Sequence, residues 1–110
     1  MKAVTRIVFV DDEGEKFFGE GPYRLLKAVE QNGSLHAAAS AMNMSYTKAL
    51  KLIANAEKSL GFALTKKTVG GKSGGGSELT SECRDFMARY EAYRDACREN
   101  NRRIYDEYFS

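Results

Sequence analysis

The chain has one histidine, two cysteines, one proline and no tryptophan among 110 residues. These shortages exclude several functions at once. Cys83 and Cys97 are too few for a disulfide framework. With His36 as the sole imidazole, a Cys/His zinc site is short of ligands. No apolar run is long enough to span a membrane. The start, MKAVTRIVFVDDEG, is basic and then briefly apolar, but it lacks a small-residue cleavage site and runs into acids. A signal peptide is therefore not expected. No nucleophile stands with a plausible base and no nucleotide motif is intact, so an enzyme is the least supported class. A reduced, cytoplasmic protein with no metal and no cofactor is expected.

The length suits one domain, and it is too short for a DNA-binding domain plus a separate small-molecule domain. Net charge is only +2. Its distribution says more. Residues 1–20 hold three Lys or Arg against five Asp or Glu, residues 21–80 hold eight against three, and residues 81–110 hold six against seven. The middle of the chain is the part suited to face a polyanion.

Ala3 to Val10 is rich in β-branched residues and predicts a strand. DDEG follows as a turn, and EKFFGEG predicts a short return strand, giving a β-hairpin over residues 1–20. Then the texture becomes helical. Pro22 suits a first helical position. Tyr23, Leu25, Leu26 and Val29 have helical spacing, and Asn32-Gly33 closes the helix. Ser34 caps a second helix with Leu35, Ala38, Ala39 and Met42 inward, stopping near Asn43. Ser45 caps a third helix from Tyr46 to Leu60, closed by Gly61. The short turn around MNMS makes the last two a helix-turn-helix, within a three-helix core over 21–61. Taken alone, the helices also fit an ordinary three-helix core with no partner.

Beyond it, FALTKKT predicts a strand and SELT a short return, bracketing a loop with five glycines between Gly70 and Gly76. Gly71-Lys72-Ser73 matches the tail of a phosphate-binding loop, but the first glycine of that motif would be residue 66, which is Lys66. No helix starts directly after Ser73 either. A flexible interdomain linker needs two domains, and only one helix lies beyond. A hairpin tip over residues 62–80 fits better, since glycine permits positive φ and close backbone approach. Lys66, Lys67 and Lys72 give that tip positive charge. A helix-turn-helix followed by such a hairpin is a winged helix.

At about 100° per residue, Ala49, Ile53, Ala56 and Leu60 share one arc of the third helix, flanked by Tyr46 and Leu50. Thr47, Lys48, Lys51, Asn55 and Lys58 lie opposite, and every charge there is positive. A solvated helix face usually mixes signs. Recognition helices read bases with residues near their N-terminus, which nominates Tyr46, Thr47, Lys48 and Lys51. Lys48 suits guanine acceptors, and Thr47 suits a thymine methyl or a base edge. Asn55 and Lys58 lie nearer the DNA backbone, and the wing lysines suit phosphates or the adjacent minor groove. A bland solvated face remains the alternative.

The segment from Leu25 to Thr80, with GSLHAAASAMNMSYTKAL as helix-turn-helix and GGKSGGGSELT as wing, resembles the N-terminal winged-helix domain of the molybdate-dependent regulator ModE, a relative of the LysR-type DNA-binding domain. The likeness covers residues 21–95. It implies an α+β winged helix-turn-helix that binds specific DNA as a homodimer and regulates transcription. It also implies that Ser45, Tyr46, Thr47 and Lys48 open the recognition helix. Gly70, Gly71, Lys72, Ser73 and Gly74 would lie in the wing. Full-length members carry C-terminal molybdate-binding domains, whereas this chain ends at Ser110, one helix beyond the wing. Molybdate binding is therefore not expected, and the chain is expected to be a stand-alone DNA-binding module. A winged-helix protein-interaction module without specific DNA binding is the competing reading.

The final helix, residues 81–106, carries Cys83, Tyr90, Cys97 and Ile104 at spacings of seven, with Phe86 and Tyr93 between them. This heptad-like stripe predicts pairing with its counterpart in a homodimer, with Asn100 setting register. Packing of the stripe's first half on the domain's own core is the alternative. Two seam cysteines could bridge chains on oxidation, although buried reduced thiols are the simpler expectation. His36 is assigned no role.

Overall fold

A computed structural model describes residues 1–68 and 76–109. Several helix boundaries have a local chemical cause. Helix α1 spans Glu20–Asn32 and ends where Gly33 turns left-handed at φ 78°, so that its amide closes on the Val29 carbonyl. Helix α2, Leu35–Ala41, starts at Ser34, whose hydroxyl accepts the Ala37 amide at 3.0 Å. Helix α3, Tyr46–Leu60, starts at Ser45, whose hydroxyl accepts the Lys48 amide at 3.1 Å. Between them Asn43 adopts φ 54°, a conformation asparagine tolerates better than other side chains. That one residue tightens the turn of the helix-turn-helix.

The alanines predicted to face inward do so. Ala38 and Ala39 of α2 and Ala49 and Ala56 of α3 are buried against Leu25, Leu26 and Val29 of α1. Small side chains there let three helices approach closely. After α3, strand β3 (Thr65–Lys67) pairs antiparallel with β4 (Ser77–Leu79), with Lys66 opposite Glu78. Leu64 and Leu79 close the bottom of the core from this hairpin. Thr80 then joins it to the long helix α4, Ser81–Phe109: its hydroxyl accepts the Cys83 amide and donates to the Ala63 carbonyl. The architecture is the expected α+β winged helix.

Three boundaries differ from the sequence expectation. The N-terminal strand is short: β1 is Phe9–Val10 and β2 is Lys16–Phe18. Its partner strand has only three residues, so Ala3 to Val8 find no ladder. They run instead along α4, where Asn101 donates to the Thr5 hydroxyl at 2.7 Å and the Tyr105 hydroxyl donates to the Met1 carbonyl. Helix α1 begins two residues before Pro22, which is tolerated because first-turn amides have no intrahelical partner. Helix α4 continues to Phe109, past the predicted end at 106, through a tail in which Tyr105 and Phe109 stack.

Aromatic packing fixes the N-terminal hairpin to α4. Phe18 meets Phe86 edge-on at 4.8 Å and Tyr90 at 5.1 Å. Such contacts add roughly 0.5–1.5 kcal/mol each beyond area burial. At about 1.5 Å per residue, the 29-residue α4 is about 43 Å long, which accounts for most of the 56 Å long dimension of the molecule.

Candidate nucleic-acid interface

Helix α3 presents the predicted face. Ala49, Ile53 and Ala56 are buried, whereas Thr47, Lys48, Lys51 and Lys58 are exposed. Tyr46 is 37% exposed and Leu50 45%, so both sit at the rim and not in the core. Among the described residues, no carboxylate lies within ion-pair distance of Lys48, Lys51, Lys58 or Lys67. The nearby acids are engaged elsewhere. Glu57 accepts the Leu64 amide at 2.8 Å, and Glu78 pairs with Lys66 at 3.5 Å. The cations on this face are therefore left unneutralised by the described residues.

The wing base is docked on the turn between α1 and α2. The Ser77 amide donates to the Gly33 carbonyl at 2.8 Å, and the Thr68 amide donates to the Gly76 carbonyl at 3.1 Å. A Cβ on Gly76 would run into the Thr68 hydroxyl and stand 3.3 Å from the Gly33 carbonyl oxygen, so this glycine is needed for close approach. Strand alternation then separates the two β3 lysines. Lys66 pairs with Glu78, while Lys67 lines a cleft with Ser34, His36, Tyr46, Thr68 and Gly76.

Ser45 caps α3 as expected, its hydroxyl accepting the Lys48 amide. Two other side chains have partners within the protein. Asn55 donates its amide to the Lys16 carbonyl at 3.1 Å, so it braces the N-terminal hairpin and is not a free backbone contact. Lys66 faces its cross-strand acid. The wing positions Gly70, Gly71, Lys72, Ser73 and Gly74 lie outside the described residues. One residue was missed. The His36 ring lies flat on Tyr46, with centroids 3.6 Å apart and planes 5° apart. The two are ten positions apart on different helices, so no periodicity within either helix links them.

The stripe on α4 divides in two. Cys83 and Tyr90 are buried and Phe86 packs against the same core, which removes all three from a dimer seam. Phe9 and Phe18 of the N-terminal hairpin, absent from a simple heptad argument, pack on Phe86 and Tyr90. Burial pushes the Cys83 thiol up to about 12. Burial, with a hydrogen bond to Glu20, also pushes the Tyr90 hydroxyl up to about 12. Glu20 in turn holds Arg94 at 2.9 Å and Arg98 at 3.7 Å, fixing the direction in which α4 leaves α1. Beyond that clasp, Tyr93 (53%) and Ile104 (50%) are exposed, and Cys97 is half-buried.

Comparisons with known proteins agree with this geometry. Residues 22–84 match the family described as bacterial regulatory helix-turn-helix protein, lysR family. Two relatives carry the name molybdenum transport protein ModE. The one from Herbaspirillum seropedicae is 38% identical over 66 residues, covering 60% of this chain and 24% of the relative. The one from Azotobacter vinelandii is 36% identical over 69 residues, covering 63% and 26%. The chain thus spans about a quarter of the length of these relatives. A solved structure of the CbnR DNA-binding domain in complex with DNA superposes with a TM-score of 0.60 at 20% identity, over 79% of this chain and 94% of that one. That likeness shows the fold. By its sequence the chain belongs to the bacterial regulatory helix-turn-helix proteins of the lysR family, and its winged-helix part is similar to the ModE proteins.

Proposed function

We propose that the chain is a sequence-specific DNA-binding regulator of transcription that acts as a homodimer in the cytoplasm. Helix α3 enters the major groove, and the wing meets the phosphate backbone or minor groove beside it. The observation that carries this reading is the unneutralised row Lys48, Lys51 and Lys58 on the outer face of α3, with Lys67 at the wing base. Tyr46, Thr47, Lys48 and Lys51 sit at the end of the helix that reads bases, and Lys58 and Lys67 suit phosphates. Lys72 and the wing glycines extend the second group by sequence.

The dimer reading now rests on the distal half of α4, where Tyr93, Cys97 and Ile104 remain available after Cys83, Phe86 and Tyr90 are withdrawn into the core. The whole chain, 1–110, acts as one DNA-binding unit in this reading. The likeness to the ModE proteins covers about a quarter of their length, and molybdate binding is not proposed for these residues.

The test is selection of bound sequences from a random duplex library at near-physiological salt. A palindromic enriched motif is expected, with half-sites about one helical turn or a multiple apart. Weak, salt-sensitive binding that enriches no sequence would overturn the reading in favour of a protein-interaction module.

A further inference from the structure

The one histidine of this chain lies where α2, α3 and the wing base line a common cleft. His36 stacks flat on Tyr46, the first residue of α3, at 3.6 Å. Both rings line a cleft of about 170 Å³ whose opposite wall is Lys67, Thr68 and Gly76 of the wing base. Ser34 stands at the same cleft with its hydroxyl already engaged by the Ala37 amide. Two consequences follow from chemistry alone. An exposed tyrosine with no partner samples several rotamers, whereas a ring held face to face with another is restrained. Imidazole is also the side chain that ordinarily changes charge between about pH 5 and 8.

We propose that His36 is a proton-linked positioning residue of the DNA interface. This rests on the DNA-binding reading above and deepens it. The imidazole holds the Tyr46 ring in the orientation from which it meets DNA. When protonated, it adds a second cation, beside Lys67, at the mouth of the cleft where a backbone phosphate passes between groove and wing. Among the described residues, the groups that share this cleft with His36 include Tyr46 from α3, Lys67 and Thr68 from the β3 side, and Ser77 from β4. Among the described residues, Lys67 is the one charged group lining this cleft. A bound phosphate beside the ring favours the imidazolium, so DNA binding takes up a proton and acid tightens the complex.

The experiment compares wild type, His36→Phe and His36→Ala by fluorescence anisotropy. The probe is a labelled duplex carrying the selected sequence, at constant ionic strength, from about pH 5.5 to 8. Phenylalanine keeps a flat ring for the stack but takes no proton. Wild-type affinity should rise roughly three- to fivefold towards acid relative to His36→Phe, the upper range of a solvent-exposed ion pair. His36→Phe should match wild type at the alkaline end, and His36→Ala should be weaker throughout. Without DNA, the sole histidine gives one assignable imidazole resonance, which Tyr46→Leu should move by removing the ring above it. Equal pH profiles for wild type and His36→Phe would overturn the proton linkage. An imidazole resonance indifferent to Tyr46→Leu would overturn the stack. A wild type that enriches no sequence would instead sink the DNA-binding reading, and this proposal with it.

Discussion

The Ser77 amide donates to the Gly33 carbonyl at 2.8 Å, joining the root of the wing to the residue that ends α1. Gly33 can offer that carbonyl because it sits at φ 78°, and a Cβ on Gly76 would meet the Thr68 hydroxyl and crowd the Gly33 oxygen at 3.3 Å. The wing is thereby set at a fixed height relative to α2 and α3. Gly33→Ala should cost about 1–2 kcal/mol, the usual penalty of a left-handed alanine. Gly76→Ala should cost about 1–3 kcal/mol, as overpacking does. Urea denaturation checks both, and faster exchange of the Ser77 amide would locate the damage at the wing root. A Gly76→Ala protein with unchanged stability and unchanged Ser77 protection would show that this contact does not seat the wing.

Lys48 and Lys67 should fail in different ways. Lys48 sits in the first turn of α3, so Lys48→Ala should lose roughly 1–3 kcal/mol of discrimination between the selected sequence and a point-mutated one. Lys67 lies at the wing base, so Lys67→Ala should weaken all duplexes alike and lower the salt slope by about one. Titrations at several salt concentrations separate the two. Equal behaviour of the two variants would mean that α3 does not read bases through Lys48.

Acid should loosen the grip of α4 on α1. Burial works to raise the Glu20 carboxyl, but hydrogen bonds from Arg94 and Tyr90 and the charges of Arg94 and Arg98 outweigh it and hold the group below its ordinary value of 4.5. A carboxylate depressed in the folded state stabilises the protein fully above its unfolded value, and the contribution disappears as pH falls through the folded one. Stability of wild type should therefore drop below about pH 4.5 more steeply than that of Glu20→Gln. Above that range the variant should be the less stable of the two, because Arg94 keeps Asp95 but loses the Glu20 carboxylate that ties it to α1. Thermal melts over a pH series measure this. Parallel curves would show that the clasp contributes nothing to folding.

The two thiols should separate by reactivity. Cys83 is buried with its pKa pushed up to about 12, while Cys97 is half-buried on the distal part of α4. The thiolate is the reactive form, so Cys97 should react with a disulfide reagent in native protein and Cys83 only after unfolding. Mass spectrometry of the labelled chain reads this directly. Oxidation that links two chains should be abolished by Cys97→Ser and unaffected by Cys83→Ser. The opposite pattern would return the first half of the stripe to the dimer seam.

Local chemistry determined much of this protein in sequence alone. Ser34, Ser45, Gly33 and Gly61 each mark a helix end because the capping hydroxyl or left-handed glycine acts within a few residues of itself. The helical period similarly exposed the basic side of α3 and its buried alanines. Tertiary structure decided what depends on distant partners. The heptad spacing of Phe86 and Tyr90 is the same whether a second chain or the N-terminal hairpin meets them, and only the fold brings Phe9 and Phe18 from the start of the chain onto them. Asn55 reads as a polar surface residue until the Lys16 carbonyl is placed beside it. Lys66 and Lys67 are neighbours of like charge in sequence, and the pleat sends one to Glu78 and the other to the cleft. His36 and Tyr46 belong to different helices, and only the turn at Asn43 brings their rings together. Periodicity reports which side of an element a residue occupies; what stands opposite is fixed by how the elements pack.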